Sequence, residues 1–112
     1  MPDLKTINLN KLGRFIFNKP LPCTISHETD DGVEYIVAEN KDLGIVGVGK
    51  TEKEAISSMK GHLIVFIHGM KYINPKLERS EPSKKLYQKL FEYFNPDKCT
   101  EDWLMDELDT VD

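Results

Sequence analysis

The stretch Gly44-Ile45-Val46-Gly47-Val48-Gly49-Lys50-Thr51 has residue types and spacing that could do chemistry. A glycine, four residues and then Gly-Lys-Thr, with a helix signal following, is the pattern of a phosphate-binding P-loop. In such a loop the amides around Gly44, Gly47 and Gly49 would cradle phosphate. Lys50 would reach the terminal phosphates and the Thr51 hydroxyl would hold magnesium. The surroundings argue for another role. Glu39-Asn40-Lys41-Asp42-Leu43 is a polar loop, where the motif needs a buried strand running into the first glycine. No later apolar run ends in an aspartate to supply a second metal ligand, and one strand–helix unit is fewer than nucleotide-binding α/β folds use. Nucleotide binding at these residues therefore stands as the alternative. The preferred reading is that Gly47 and Gly49 relieve crowding or form a bulge, and that Thr51 caps a helix.

The remaining reactive side chains are dispersed. His62 and His68 are six residues apart on one helix, whereas helical metal-ligand pairs need a spacing of three or four. Glu34, Glu39 and Asp42 fall on a strand, a strand end and a loop, so no converging carboxylate set for metal-dependent hydrolysis is expected. Ser57 and Ser58 lack a nucleophile turn. Cys23 and Cys99 show no metal-binding or redox spacing and read as reduced thiols of a cytoplasmic protein, Cys23 as a small buried residue. The acidic C-terminus lacks the spacing of a calcium loop. No catalytic residue, metal or cofactor is expected.

The elements that would position these residues are legible from pattern. Composition (39% hydrophobic, 30% charged, net charge −4) suits a soluble single domain with no general nucleic-acid footprint and no membrane span. Alternation over Cys23–His27 and Val33–Val37, around an Asp31-Gly32 turn, predicts a β-hairpin. Thr51 then caps the longest helix: its hydroxyl can accept the Glu54 amide, and the Glu54 carboxylate can reach back to the Thr51 amide. Ala55, Ile56, Met59, Leu63, Phe66, Ile67 and Met70 form its apolar stripe, and Ile64 and Val65, lying off that stripe, suggest a second packing surface. Residues 75–83 read as a linker after an Asn74-Pro75 stop. A second helix over Ser83–Phe94 carries Leu86, Tyr87, Leu90, Phe91 and Phe94 on one face, read first as the contact of a homodimer, with an intramolecular core or a partner contact as the other readings. Thr100 caps a last short helix, with Leu104, Leu108 and Val111 aligned and Trp103 as its anchor. The expected fold is α+β: a small antiparallel sheet of about three to four strands on one long helix, plus C-terminal helices. Its parts are an N-terminal arm (1–20), broken by Pro20 and Pro22, a β-β-β-α core (21–74), and the linker with the C-terminal helices (75–112).

Thr29-Asp30-Asp31-Gly32, Tyr35-Ile36-Val37-Ala38, Asp42-Leu43-Gly44 and Gly49-Lys50-Thr51-Glu52-Lys53-Glu54-Ala55 occur in that order within residues 21–63. This succession resembles HicB-type antitoxin domains, which share a partial ribonuclease-H-like fold. Lys41 stands where that family usually has proline, and the loop after Leu43 lacks its Pro-Gly-Cys. The resemblance implies a non-catalytic protein, dimeric or larger, that binds and occludes a small basic HicA-like RNA-cleaving toxin, or an orphan of that fold with a changed partner. DNA binding, found in relatives with a C-terminal operator-binding unit, is not expected. Here Glu101, Asp102, Asp106, Glu107, Asp109 and Asp112 would face phosphates with no basic side chain among them.

Overall fold

A computed structural model describes residues 4–73 and 81–110, without the side chains of 73, 81–83 and 108–110. Four strands form one antiparallel sheet in sequential order: β1 (Leu4–Leu12), β2 (Phe15–Asp30), β3 (Val33–Asn40) and β4 (Ile45–Gly49). The helix α1 (Glu52–His68) runs on into a π-helical turn, Gly69–Ile73; α2 (Glu81–Leu90), a 3-10 turn at Pro96–Lys98 and α3 (Glu101–Thr110) follow. The α+β expectation of an antiparallel sheet, a long helix and C-terminal helices holds. The hairpin turn is where the Asp-Gly pair placed it, with Asp31 at φ 52° and Gly32 at φ 77°.

The N-terminal arm forms a strand, a turn and the start of a second strand. It is no separate segment: β1 pairs with β2, and β2 runs straight through the boundary drawn at residue 20. Pro20 and Pro22 do not end that strand. Pairing of β2 with β3 begins only at Thr24, so this stretch has a strand neighbour on one side, where a missing amide costs little. The Pro22 carbonyl, aimed at the β3 side, accepts the Asn40 Nδ2 at 2.6 Å, and Asn40 Oδ1 accepts the Leu43 amide at 2.7 Å. Asn40 is thus fully buried with both ends of its amide paired.

Between Leu9↔Leu21 and Lys11↔Ile16 the register slips, and Phe17–Pro20 bulge away from β1. The bulge holds the C-terminal part of the chain. Asn18 donates its amide to the Tyr93 carbonyl at 2.5 Å, and Phe17 stacks on Phe94 with ring centroids 5.5 Å apart. Trp103 meets Phe15 edge-on at 4.7 Å, with the Arg14 guanidinium over both rings, which anchors α3 as expected.

One core lies between the sheet and the helices. Leu21, Cys23, Ile25, Ile36, Ala38 and Ile45 face Ala55, Met59, Leu63 and Ile67. Ile64 is fully buried because α3 packs on α1 and brings Leu104 into the same core. Val65, its neighbour off the stripe, is about half exposed. The Lys71 ammonium donates to the carbonyls of Pro96 (3.1 Å), Asp97 (3.0 Å) and Cys99 (2.6 Å), and the Tyr72 hydroxyl donates to Cys99 as well. This tethers the 3-10 turn to the end of α1. The expected helix stop at Asn74-Pro75 and most of the linker lie outside the described residues. So does Val111.

Candidate functional site

The P-loop-like residues make a strand and a capped helix start. Gly44 takes φ +67° in the loop before β4. A methyl group on Gly47 would lie 2.2 Å from the Met59 nitrogen and 2.3 Å from the Ala55 oxygen; one on Gly49 would lie 2.5 Å from Glu54 Cβ. Both glycines therefore let α1 settle directly on β4, the crowding relief read from the sequence. Thr51 Oγ1 accepts the Glu54 amide at 3.1 Å, as a cap should. The return bond differs by one residue: Glu54 Oε2 accepts the amide of Lys50 at 2.8 Å, instead of that of Thr51. Gly49 to Glu54 thus spend an amide and a hydroxyl on the helix terminus, and β4 runs antiparallel to β3.

The five residues read as a dimer face are divided by the structure. Leu90 and Phe94 are buried in the chain's own core and have no surface to offer a second copy. Leu86 and Tyr87 are half-buried against that core, and Phe91 is 42% exposed. The reason is that α2 stops at Leu90. Turn bonds from Phe91, Glu92 and Tyr93 back to Gln88, Lys89 and Leu90 swing Tyr93 and Phe94 under the β2 bulge.

Asp42 joins the β3–β4 loop to this turn. Its Oδ2 accepts the Tyr93 hydroxyl at 2.8 Å and its Oδ1 accepts Lys89 Nζ at 3.2 Å. The Tyr93 bond first, and Lys89 second, hold the Asp42 carboxyl below its ordinary value; burial and the same bond push Tyr93 up to about 12.

The histidines serve separate places. The ring of His62 bonds through Nδ1 to the Val46 carbonyl of the edge strand β4 at 2.5 Å, while His68 Nε2 lies 3.1 Å from Glu101 Oε2. Cys23 Sγ donates to Met59 Sδ at 3.7 Å, and burial pushes the Cys99 thiol up to about 11. Among the described residues no three His, Cys, Asp or Glu side chains converge as a metal site requires, and no helix is long and apolar enough to cross a membrane.

The second face of the sheet is the one for which the alternation of the hairpin strands predicts a second subunit or the terminal segments as cover. The registers place Leu4, Ser26, Val37 and Val48 in one row across all four strands, with Thr6, Thr24, Glu39 and Val46 in the next and Glu28 opposite Tyr35 in a third. None of these ten residues is buried, and Leu4 and Val48 are 67% and 51% exposed. The core residues of α1 and of the C-terminal helices gather with the opposite face. The only charges in the three rows are the carboxylates of Glu28 and Glu39. The signal in the sequence was the apolar residues of β3 and β4 at both parities, which one covering helix cannot bury. No family model, curated protein or solved structure matches the chain.

Proposed function

We propose that the chain is a non-catalytic protein–protein interaction module of the HicB-like kind, acting as a homodimer that occludes a small basic RNA-cleaving protein. The observation that carries this reading is the open sheet face. It sets Leu4, Val37 and Val48, in one row with Ser26, beside Val46 and Tyr35, with acidic and no basic side chains in the same rows. A surface that is apolar and edged with carboxylates favours a partner with basic residues around an apolar patch, because complementary charge steers encounter and disfavours acidic competitors. The hairpin, the Asp42-Leu43-Gly44 loop and the Thr51-capped helix add the resemblance in element order.

The test is a tagged full-length chain purified from its native host. It should retain a small basic protein whose RNA cleavage, assayed separately, stops when the chain is added in equal amount. Recovery of the chain by itself, or a retained protein whose activity the chain leaves untouched, would remove the antitoxin reading.

A further inference from the structure

We infer that the exposed faces of α2 and α3 are complementary halves of a contact between two copies of this chain, the lysine face of α2 taking the acidic face of α3 from its neighbour. The inference rests on the homodimer reading above but not on the toxin partner, and it moves the contact away from Leu90 and Phe94.

Two helices of equal length carry opposite charge in the same spacing. On α2 the exposed residues are Lys84, Lys85, Gln88 and Lys89; on α3 they are Glu101, Asp102, Met105 and Asp106. Both sets have the spacing i, i+1, i+4, i+5, so each is one continuous strip. The α2 strip borders a groove against the Lys41–Gly44 loop, lined by Leu43 and Leu86 together with Lys41, Lys85, Lys89 and the Asp42 that Lys89 engages. Lys89 is engaged with Asp42, whereas Lys41, Lys84 and Lys85 have no carboxylate partner among the described residues. On α3, Glu101 faces His68 and Asp106 is engaged within the chain, so Asp102 is the carboxylate on which the contact rests. The α3 strip has an exposed methionine, Met105, set among its carboxylates, a flexible apolar side chain suited to pack beside the half-buried Leu86. Phe91 stands exposed beyond the end of α2 and would extend the apolar part of the contact.

Charge decides the occupant. The chain is acidic overall, so copies repel at long range, yet these two strips attract at short range. Attraction between exposed charges is weak for each pair and is screened by salt. The pairing is therefore expected to be modest in affinity and steeply dependent on ionic strength.

The experiment measures the mass of the full chain by sedimentation equilibrium over a concentration series at low and at high salt. Wild type should associate at low salt and shift toward monomer at high salt. Lys84→Glu with Lys85→Glu should move the midpoint of association at least about tenfold higher in concentration. Asp102→Lys with Asp106→Lys should do the same, and combining the four changes should restore association. Far-ultraviolet dichroism checks that each variant is folded; where the α3 variant is not, the α2 variant and the salt dependence decide. A dimer unmoved by the α2 charge reversal overturns this contact while leaving the homodimer reading in place. A monomer at every concentration and salt overturns both.

Discussion

The Tyr93 hydroxyl lies 2.8 Å from Asp42 Oδ2, and this bond closes the β3–β4 loop onto the turn that follows α2. Because the acceptor is ionised, the bond is stronger than a neutral one, although the carboxylate is 40% exposed and water competes for it. Tyr93→Phe removes the hydroxyl and leaves the buried ring in place. The expected loss is about 1 kcal/mol, which lowers the melting temperature by several degrees in a domain of this size. Thermal melts followed by circular dichroism at neutral pH check it.

The same pair sets two edges of a pH profile. Asp42 is held below its ordinary value, so its contribution is complete above the unfolded pKa of about 3.9 and is lost as pH falls through the lower folded value. Tyr93 is raised from 10.0 to about 12. Between those values the unfolded chain releases a phenolic proton that the folded chain keeps, so stability falls as pH rises through that window. Urea midpoints across pH should show both declines in wild type. In Tyr93→Phe the acid decline should be shallower and the alkaline one reduced.

Gly47→Ala should cost about 2–3 kcal/mol, because its methyl would meet backbone atoms of α1 and the helix would have to lift from β4. Gly44→Ala, at positive φ with open space around it, should cost about 1–2 kcal/mol from backbone strain alone. Urea denaturation distinguishes the two. A larger loss at Gly44 than at Gly47 would contradict the packing described for β4.

If Gly44–Thr51 serves the helix and not a phosphate, millimolar ATP or GTP with magnesium should leave the melting temperature unchanged, since a ligand at about 100 times its Kd adds about 2.7 kcal/mol. Lys50→Ala should respond identically. Thr51→Ala should lose about 1 kcal/mol with or without nucleotide, because the hydroxyl caps α1.

Val48→Lys tests the open sheet face. The side chain is 51% exposed, so stability should change by no more than about 0.5 kcal/mol. Retention of a basic partner should fall at least about tenfold, from the added like charge and the lost apolar contact. Equal retention by wild type and variant would move the docking site elsewhere.

Local chemistry made the centre of the chain readable. Asp31-Gly32 announced its turn, Thr51 its cap, and the spacing from Ala55 to Ile67 its buried stripe, because each signal depends on neighbours within a few residues. The ends were harder. Pro20 and Pro22 signal a break, yet β2 continues because it lacks a β3 partner there, a circumstance set by Asn40 some twenty residues away. The stripe Leu86–Phe94 reads as a single helical face, but the helix stops at Leu90, and the turn delivers Tyr93 and Phe94 to a β2 bulge that no periodicity announces. The open face was half legible. Valines at outward positions of β3 and β4 showed that a second cover was wanted, not that Leu4 and Val48 would stand more than half exposed among the described residues.

Glycine contact, aromatic clamps and the lysine tether all act on the side of the sheet where the helices sit. Substitutions there would be tested first by whether the chain still folds. On the opposite side, exchanging one exposed residue for another leaves the core untouched, so under the binding role proposed above a lineage carrying this scaffold could trade one partner for another while its architecture stayed the same.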